Sequence, residues 1–507
     1  MIRIQEIFKK VKSKITLDLA FLTLGLIVIS LIYAFISISL HNRFLTFGLD
    51  LGYFDETIWK ISRGKFPYSG VGCIWLLEDH FQPILYLLAP LYWIWDDVRI
   101  LLLFQSFVMV FAAFPLYLLS KKITRHTFFS LSIVFSYLFF IGTQFAILNE
   151  FHQVTLAPFL ISLIFYALSI KKNSLFILGV IGLLVTKEDL SLLVAAIGIG
   201  LIFKKGARKT GVITLALGIV SFFLLIYWIM PSISIKGVYS HMDFGEAGAT
   251  PVDILLKIIV NPSFFFRTMV IPQIKLETLF RSLFNFGFLP IFSPFPYFIP
   301  LAEDFVSRFI YSGPQVTKWG LVNHHAATSA ILLAITSIYG ARRIEKIFLQ
   351  NSKGFLVISL ILIITTITQD ILFKAPVNSI FKKAFYFEEE WVKNNKEVLA
   401  YVPETAAVAA QNNLLPHLTH RDSIYRVPYG LNSEYIVVDL HDGPNKYSPL
   451  TYSEIMEFVQ DLLKTKRYSI VYQKGEAVLL KRNYKTDITK SKYYGDTRYC
   501  YYSFEER

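Results

Sequence analysis

Charged residues are scarce in this sequence. Asp, Glu, Lys and Arg supply 17% of its 507 residues, whereas 54% are hydrophobic, and the mean hydropathy is +0.50. This balance excludes an ordinary soluble domain and indicates an integral membrane protein. Cysteine is scarce too. Cys73 and Cys500 are too few for a disulfide framework, and they can pair only if the fold brings them together.

Several common functional motifs are also absent. The sequence contains no HExxH-type metal motif and no glycine-rich phosphate loop. We predict no cofactor and assign no metal ligands. A divalent metal held by scattered His and carboxylate residues stays an alternative. No small-residue cleavage site follows the first apolar run, 19–40, so we interpret that run as a retained helix.

The net charge of +13 at first suggests a nucleic-acid partner. Most of the positive residues, however, lie in short loops beside apolar runs, where basic residues mark the cytoplasmic side of a membrane. We therefore attribute the charge to membrane topology and predict no nucleic-acid partner.

Apolar runs of about 17–25 residues predict a transmembrane domain over 19–373. Four lysines at positions 9, 10, 12 and 14 place residues 1–18 in the cytoplasm and the long loop 41–98 outside. The result is an all-α polytopic protein of the plasma membrane with about 11 spans. The predicted spans are 19–40, 100–120, 127–148, 154–170, 174–186, 190–203, 210–230, two arms of a Pro-rich hairpin over 276–310, 326–340 and 354–373.

The run 174–203 is interrupted by three consecutive charges, Lys187, Glu188 and Asp189. A charge at the bilayer centre costs about 2.5–3.5 kcal/mol. Basic clusters on both sides of the run favour the cytoplasm, which one continuous helix cannot satisfy. We therefore predict two helices of roughly 20 Å, joined by a turn at their outer end. Arms this short place the turn in a wet depression below the outer surface.

Residues 374–507 are richer in charge and lack long apolar runs. Helical patterns in EEEWVKNNKEVLAYV and SEIMEFVQDLLKT accompany five short strand-like segments, AAVAAQ, SIYRVP, EYIVVDL, YSIVYQ and AVLLKR. These patterns predict a small extracytoplasmic α/β domain at the C-terminus.

Polar residues beside the apolar segments fall mainly on the predicted outer face, whereas the cytoplasmic loops carry mainly Lys and Arg. This asymmetry suggests an extracytoplasmic site built from several loops. The residues are Asp50, Asp55, Glu56, Glu78, Asp79, His80, Glu150, His152, Lys187, Glu188, Asp189, His324 and His325.

Each of these groups also has a purely structural interpretation. Asp50 and Asp55 fit solvated loop carboxylates. However, apolar residues at 54, 58 and 61 recur at helical spacing, which predicts an amphipathic helix on the membrane with Asp55 and Glu56 near lipid headgroups. In the segment NEFHQ, Glu150 and His152 fit a helix-capping role as well as a role in substrate binding.

Two further groups have similar alternatives. Lys187 fits an ion pair with its neighbouring carboxylates as well as a contact to a lipid phosphate. The adjacent His324 and His325 fit a structural role as well as a binding role. Their spacing to the other polar residues matches no compact metal motif.

Six blocks of the sequence together resemble one family. They are FGLDLGYFDETIWKISRGKFPYS, EDHFQPILYLLAPLYWIW, LLLFQSFVMVFAAFPLYLLSKK, NEFHQVTLAPFLI, LLVTKEDLSLLVAAIGIGL and QNNLLPHLTHRDSIYRVP, spread over about residues 44–440. The family is the predicted membrane proteins called domain of unknown function 2079. Its relatives often carry His-Tyr where this chain has His324–His325.

That family in turn resembles the C-type glycosyltransferases, which take a sugar from a polyprenyl-phosphate carrier on the outer face. The resemblance implies a glycosyltransferase whose partners are a polyprenyl-phosphate-linked sugar and membrane lipid. Asp50 or Asp55 would be the catalytic base, and Lys187, with His80 or His152, would lie near the phosphate. Glu188 and Asp189 would orient Lys187 or bind acceptor hydroxyls, beside the further substrate-binding candidates Glu56, Glu150 and His324.

Two other function classes fit the same sequence. A broken helix that carries charges is typical of transporters and flippases, although the sequence shows no repeated halves. A non-catalytic scaffold whose outer domain recruits protein partners is the third interpretation. Flipping without sugar transfer would favour the transporter, and an unchanged phenotype after replacing Asp50, Asp55 and Lys187 together would favour the scaffold.

Overall fold

The structure is a computed structural model that describes residues 17–235, 237–239, 241, 244–312, 316–349, 353–443 and 448–483. The four lysines of the predicted cytoplasmic N-terminus and Cys500 lie outside these residues. The described chain is mainly helical, with one small sheet near its C-terminal end.

The first half of the helical part begins with one long apolar helix and continues through a polar loop region. The helices are α1 (Leu17–His41), α2 (Tyr53–Ser62), α3 (Leu76–Asp79), α4 (Leu91–Ile94), α5 (Arg99–Phe111), α6 (Ala113–Thr124), α7 (Thr127–Phe139), α8 (Ile141–Leu148), α9 (Ala157–Ile170), α10 (Asn173–Leu184) and α11 (Leu190–Ile202). Two short strands, β1 (Tyr68–Ser69) and β2 (Ile74–Trp75), pair antiparallel within the loop.

The second half contains further long apolar helices and a set of shorter ones. They are α12 (Arg208–Leu224), α13 (Met230–Ile233), α14 (Pro251–Val260), α15 (Pro262–Val270), α16 (Gln273–Asn285), α17 (Phe295–Phe309), α18 (Ala327–Ile344) and α19 (Lys353–Leu372). The buried faces of α17, α18 and α19, together with those of α1 and α5–α11, share one large apolar core, and α16 packs against it.

The predicted number of spans is not confirmed. Within the described residues, 6 helical segments are long and apolar enough to cross a membrane, or 7 if the bent pair α7–α8 is one span. The shortfall has a physical reason. The arms α10, α11, α16 and α17 have 12–15 residues, which is roughly 18–23 Å of helix. That length is short of the roughly 30 Å hydrocarbon core.

The interrupted run at 174–203 folds as two helices, as predicted. Helix α10 ends at Leu184, α11 begins at Leu190, and the three charges lie in the turn between them. The Pro-rich hairpin, predicted to turn near 293–296 after a first arm that ends at about Ile291, also forms two helices. Its first arm ends earlier, at Asn285, and a 3₁₀ turn at Leu289–Phe292 precedes α17.

Large apolar side chains cover the outside of the helical part. On α1, Phe21 is 66% exposed and Leu24 is 58% exposed, whereas Leu26, two positions further on, is 1% exposed. Such a surface is unfavourable in water but suits a lipid bilayer, where apolar side chains meet apolar chains. The pattern agrees with the composition of the chain.

The C-terminal sheet has five strands in the order β4-β3-β5-β7-β6. The strands are β3 (Val408–Ala410), β4 (Ile424–Arg426), β5 (Tyr435–Asp439), β6 (Tyr468–Lys474) and β7 (Ala477–Arg482), with helices α20 (Glu390–Leu399) and α21 (Tyr452–Lys464). Strands β3, β4 and β5 are parallel, and β7 is antiparallel to both of its neighbours. Each strand and helix predicted here is present.

The sheet domain packs directly on the loop region that follows α1. The Gly48 N–H donates to the carbonyl of Asn412 at 2.8 Å. A Cβ at Gly48 would collide with Leu415, and one at Gly70 would collide with the carbonyl of Ile424. Because only glycine permits this close approach, these two positions let the sheet domain contact the loop region.

Candidate functional site

A single π-helical turn, Gly48–Gly52, carries Asp50 and follows α1 closely. We call it the Asp50 turn. Glu150 holds it from a distant part of the chain, because its Oε2 accepts hydrogen bonds from the backbone N–H groups of Phe47 at 2.9 Å and Leu51 at 3.1 Å. The structure thus gives Glu150 a positioning contact to the turn that presents Asp50.

Asp50 forms one face of a cluster with two histidines. Its Oδ1 lies 3.3 Å from Nε2 of His152, and its side chain is 20% exposed. The ring of His152 stacks on His324 with the centroids 3.6 Å apart, and His324 lies against His325 at 4.1 Å. Within the described part of the chain, the buried Nδ1 atoms of His152 and His324 have no hydrogen-bond partner. We call these four residues the Asp50 cluster.

Gln105 of α5 organises the loop that supplies His152. Its amide nitrogen donates to the carbonyl of Ile147 at 2.8 Å, and its amide oxygen accepts from the N–H of His152 at 2.9 Å and the hydroxyl of Thr155 at 3.0 Å. Gln105 is fully buried. Sequence reasoning missed it because one Gln in an apolar run gives no signal of what it contacts.

Glu188 in the turn between α10 and α11 reaches back to the first loop. Its Oε1 lies 2.7 Å from Nδ1 of His80, and its Oε2 accepts from the N–H of Phe81 at 2.9 Å. The N–H of Ile84 also donates to the carbonyl of Val185 at 2.9 Å. The charged turn is therefore tied to residues 80–84 rather than standing free in water.

Asp79 and His241 extend this group into a second cluster. Nε2 of His241 lies 3.0 Å from Oδ1 of Asp79, and its ring stacks on His80 with centroids 4.3 Å apart. The hydroxyl of Tyr239 donates to Oε1 of Glu188 at 2.6 Å. We call Asp79, His80, Glu188, Tyr239 and His241 the Asp79 cluster.

Opposite charges set the protonation of the Asp79 cluster. Burial is the largest single effect on each carboxyl group and disfavours its charged form, but the neighbouring groups together outweigh burial. His80 and His241 lower the pKa of Asp79 to about 2, and His80, Lys187 and the hydroxyl of Tyr239 lower the pKa of Glu188 well below its usual range. Burial also opposes a charged His80, yet Glu188 and Asp79 raise its pKa. These shifts favour carboxylates at Asp79 and Glu188 and a protonated imidazole at His80.

Lys187 lies beside this cluster. Its Nζ is 3.0 Å from Oδ2 of Asp189, and its side chain is 18% exposed. Burial disfavours the charged amine, but Asp189 and Glu188 raise its pKa. His324 of the Asp50 cluster is close enough to interact electrostatically with Lys187 and His80. The two clusters therefore belong to one polar region, and Lys187 lies within it.

The structure buries Asp55 in α2, which we call the Asp55 helix. Asp55 is 0% exposed, accepts hydrogen bonds from Tyr92 and Thr419, and lies 3.2 Å from Nε2 of His420. Thr419 and His420 belong to the sheet domain. Asp55 therefore joins the sheet domain to the loop region.

Glu56 is equally buried. Its carboxylate pairs with Nζ of Lys60 at 2.7 Å and accepts from the hydroxyl of Ser69 at 2.6 Å and the N–H of Gly70 at 3.0 Å. The expected position of Asp55 and Glu56 at lipid headgroups is thus corrected. The Asp55 helix lies between the loop region and the sheet domain, so its carboxylates point into protein.

Another part of the first loop does have a membrane-like surface. The segment Pro83–Ile94 is short and apolar, and Leu87 is 74%, Trp93 67% and Ile94 81% exposed. Exposed Trp beside exposed aliphatic side chains is typical of a membrane–water interface. Since Ile84 contacts the charged turn, this apolar surface begins next to the Asp79 cluster.

The structure brings most of the predicted site residues together but adds partners from elsewhere. Asp50, His152 and His324 meet in one place, where Glu150 holds the Asp50 turn. In another place His80 contacts Glu188, next to the pair of Lys187 and Asp189. The partners missed by sequence reasoning are Gln105, Tyr239, His241 and His420. Tyr239 and His241 are polar residues beyond the apolar run 210–230, which was the available signal.

Comparison with solved structures gives a remote similarity. The crystal structure of ArnT from Cupriavidus metallidurans bound to undecaprenyl phosphate is 11% identical, with a TM-score of 0.49, over 90% of this chain and 97% of that one. No curated protein matches the sequence significantly. The family model described as "predicted membrane protein (DUF2079)" matches residues 40–479. The chain therefore belongs to this family of predicted membrane proteins, as its sequence blocks indicated.

Proposed function

We propose that the protein transfers a sugar from a polyprenyl-phosphate carrier to an acceptor hydroxyl, with Asp50 as the base. One observation carries the proposal: Asp50 is partly exposed and paired with His152, whereas Asp55 is enclosed by Tyr92, Thr419 and His420. A base must reach the proton that it removes. Of the two aspartates considered as the base, Asp50 meets this requirement.

The reaction would proceed by a displacement at the anomeric carbon. The Asp50 carboxylate takes the proton of the acceptor hydroxyl, the acceptor oxygen bonds to the anomeric carbon, and the bond from that carbon to the phosphate oxygen breaks. The electron pair leaves with the polyprenyl phosphate. His152, 3.3 Å from Asp50, orients the carboxylate through an imidazole contact.

The leaving phosphate needs a cation in a partly dehydrated place, because charge interactions strengthen as water is removed. Lys187 meets this need, since its side chain is 18% exposed and is flanked by Asp189. Glu188 and Asp189 orient the lysine. His324 stacks on His152 and is within electrostatic reach of Lys187, so it would connect the base side and the phosphate side of the site.

A lipid substrate also needs a path from the bilayer. The exposed apolar segment Pro83–Ile94 begins beside the charged turn and provides such a surface. We accordingly place the site on the outer face of the plasma membrane, with the N-terminus in the cytoplasm. The transmembrane domain is 19–373, and the α/β domain, 374–507, lies on the same outer side as the site.

Binding of polyprenyl phosphate to the purified protein in nanodiscs tests the proposal first. Wild type should bind, and Lys187→Ala should weaken binding at least tenfold because the phosphate loses its cation. Lys65→Ala is the matched control, since Lys65 is an exposed lysine paired with Asp422 and should bind like wild type. No binding by the wild type, or equal binding by all three proteins, would contradict a phosphate site at Lys187.

A second assay separates transfer from transport. Purified protein in liposomes is given labelled polyprenyl-phosphate sugars, and release of polyprenyl phosphate is measured beside movement of the donor across the bilayer. Release that depends on Asp50 supports the transferase. Movement of the donor without release of polyprenyl phosphate would instead identify the protein as a flippase. The short arms α10 and α11 would then be the broken helices that are typical of transporters.

A further inference from the structure

We propose that Asp79, His80 and His241 bind a divalent transition-metal cation, with Zn²⁺ as the best match to their chemistry. Each of the three offers one ligand atom, and these atoms lie within 4.8 Å of one another. Among the described residues, this is the group of His, Cys, Asp and Glu side chains that could close around an ion. The site is separate from the Asp50 cluster, and it does not depend on sugar transfer.

The orientation of the three side chains favours a shared ion. Nδ1 of His80 is occupied by Glu188 at 2.7 Å, so Nε2 is the nitrogen that remains, 4.0 Å from Oδ2 of Asp79. On the other side, Nε2 of His241 lies 3.0 Å from Oδ1 of the same carboxylate. Two imidazole nitrogens therefore face one carboxylate, and small shifts of each side chain place all three around an ion at the usual distances of about 2.0–2.2 Å.

The surroundings of His80 supply an independent indication. A metal-bound histidine almost always donates its second N–H to a carboxylate or carbonyl, which fixes the tautomer and orients the ring. Glu188 provides this acceptor, and it is fixed in turn by the hydroxyl of Tyr239 at 2.6 Å and the N–H of Phe81 at 2.9 Å. Because Glu188 is 1% exposed, water does not compete for this contact.

The type and number of the ligands narrow the choice of metal ion. Two imidazoles and one carboxylate suit Zn²⁺ and other first-row transition metals better than Ca²⁺ or Mg²⁺, which prefer oxygen ligands. Three protein ligands leave a fourth position for water or another oxygen donor. Asp79 and His80 come from the first loop, and His241 comes from the segment beyond α13, so the ion would fasten two distant segments together.

Metal binding by the full-length protein tests the inference directly. The protein is purified in detergent, stripped with a chelator and dialysed against Zn²⁺, and bound metal is counted. Binding of Co²⁺ is then followed by its visible absorption, which reports imidazole ligands and a four-coordinate geometry. We expect one equivalent of Zn²⁺ and such a spectrum for the wild type, together with a higher Tm when Zn²⁺ is present.

Three variants sharpen the test. His241→Ala should lose the metal, and Glu188→Gln should weaken binding about 10–100-fold because His80 loses its carboxylate partner. His126→Asn is the matched control. His126 caps α7 by accepting from the N–H of Phe129, and Asn can also cap a helix, so this variant should bind like wild type.

Several outcomes would overturn the inference of a metal site. No metal retained by the wild type, or a Co²⁺ spectrum without imidazole ligands, would overturn the inference even if His241→Ala failed to fold. Equal affinity in wild type, His241→Ala and Glu188→Gln would do the same. Metal binding without polyprenyl-phosphate binding would leave this site standing and remove the proposed function, whereas the reverse result would remove only this site.

Discussion

Two carboxylates five positions apart have opposite surroundings. In the Asp50 turn, Asp50 is partly exposed and contacts His152. In the Asp55 helix, Asp55 is fully buried and contacts Tyr92, Thr419 and His420. The turn is held from outside by Glu150, whereas the helix is itself the support for the sheet domain. Neighbouring acids of the same type thus suit different tasks, because burial and partners decide what a carboxylate can do.

The largest expected effect is on activity in the Asp50 turn. Asp50→Asn should lower the rate of sugar transfer about 10²–10⁴-fold, because an amide of the same shape cannot take the proton. Thermal stability should stay close to that of the wild type, since the carboxylate is partly exposed. The measurement is release of polyprenyl phosphate from a labelled donor, beside a thermal melt. Full activity in Asp50→Asn would end the assignment of the base.

The next effect is on stability in the Asp55 helix. Asp55→Ala should destabilise the contact with the sheet domain by about 3 kcal/mol, because the buried hydroxyl of Tyr92 loses its acceptor and that of Thr419 keeps only the carbonyl of Pro416 at 3.5 Å. Hydrogen exchange should rise in Leu415–His417 and the residues just after it. Protection equal to that of the wild type would show that Asp55 does not join the two regions.

The same contact should depend on pH through His420. Burial disfavours the charged imidazole, but Asp55 and then Asp96 outweigh it and raise the pKa of His420 above 6.5. A raised folded-state pKa means that the stabilisation is complete below about 6.5. It is lost as the pH rises through the folded-state value. The protection of amides against hydrogen exchange in the segment after Leu415 should therefore fall as the pH rises across that range.

His420→Asn is the control for this pH dependence. At low pH the variant should show less protection against hydrogen exchange than the wild type. Between pH 6.5 and the folded-state pKa of His420, its protection should not change with pH as that of the wild type does. If the variant kept the pH profile of the wild type, the profile would belong to another group and His420 would not be the titrating contact.

The smallest effect is expected at Glu150. Glu150→Gln keeps an oxygen that can accept from Phe47 and Leu51 but removes the negative charge, and charge-assisted hydrogen bonds are roughly twice as strong as neutral ones. We expect a loss of stability of about 1 kcal/mol and a reduction in transfer rate of several-fold, with KM for the donor unchanged. A rate as low as that of Asp50→Asn would instead indicate that Glu150 itself takes part in the reaction.

Parts of the fold were predictable because their signals are local. The turn at Lys187–Asp189 interrupts an apolar run, so its position between two helices follows from the sequence of about thirty residues. The strands β3–β7 show short apolar segments bounded by turn residues, and all five are present. The number of spans is not confirmed, because arms such as α10 and α16, with 12 and 13 residues, are shorter than the roughly 20 residues of a full span.

The site was only partly predictable. The residues of the Asp50 turn and the charged turn stood out as polar groups beside apolar segments. Their partners did not stand out, because His420 is 365 positions from Asp55 and Gln105 is 47 positions from His152. The expectation that Asp55 and Glu56 face lipid failed for the same reason. The periodicity of the Asp55 helix shows that it has an apolar face, but not which surfaces cover it.

Composition and local sequence patterns were enough to predict that the protein belongs in a membrane, where its C-terminal strands and the charged turn lie, and which polar residues are candidates for a site. These properties follow from composition and from short-range patterns of apolar side chains. The packing of distant segments makes Asp50 reachable while Asp55 is enclosed, and it brings His241 to Asp79 and His80. Burial and the distance between side chains depend on how segments far apart in the chain pack, and no local pattern carries that information.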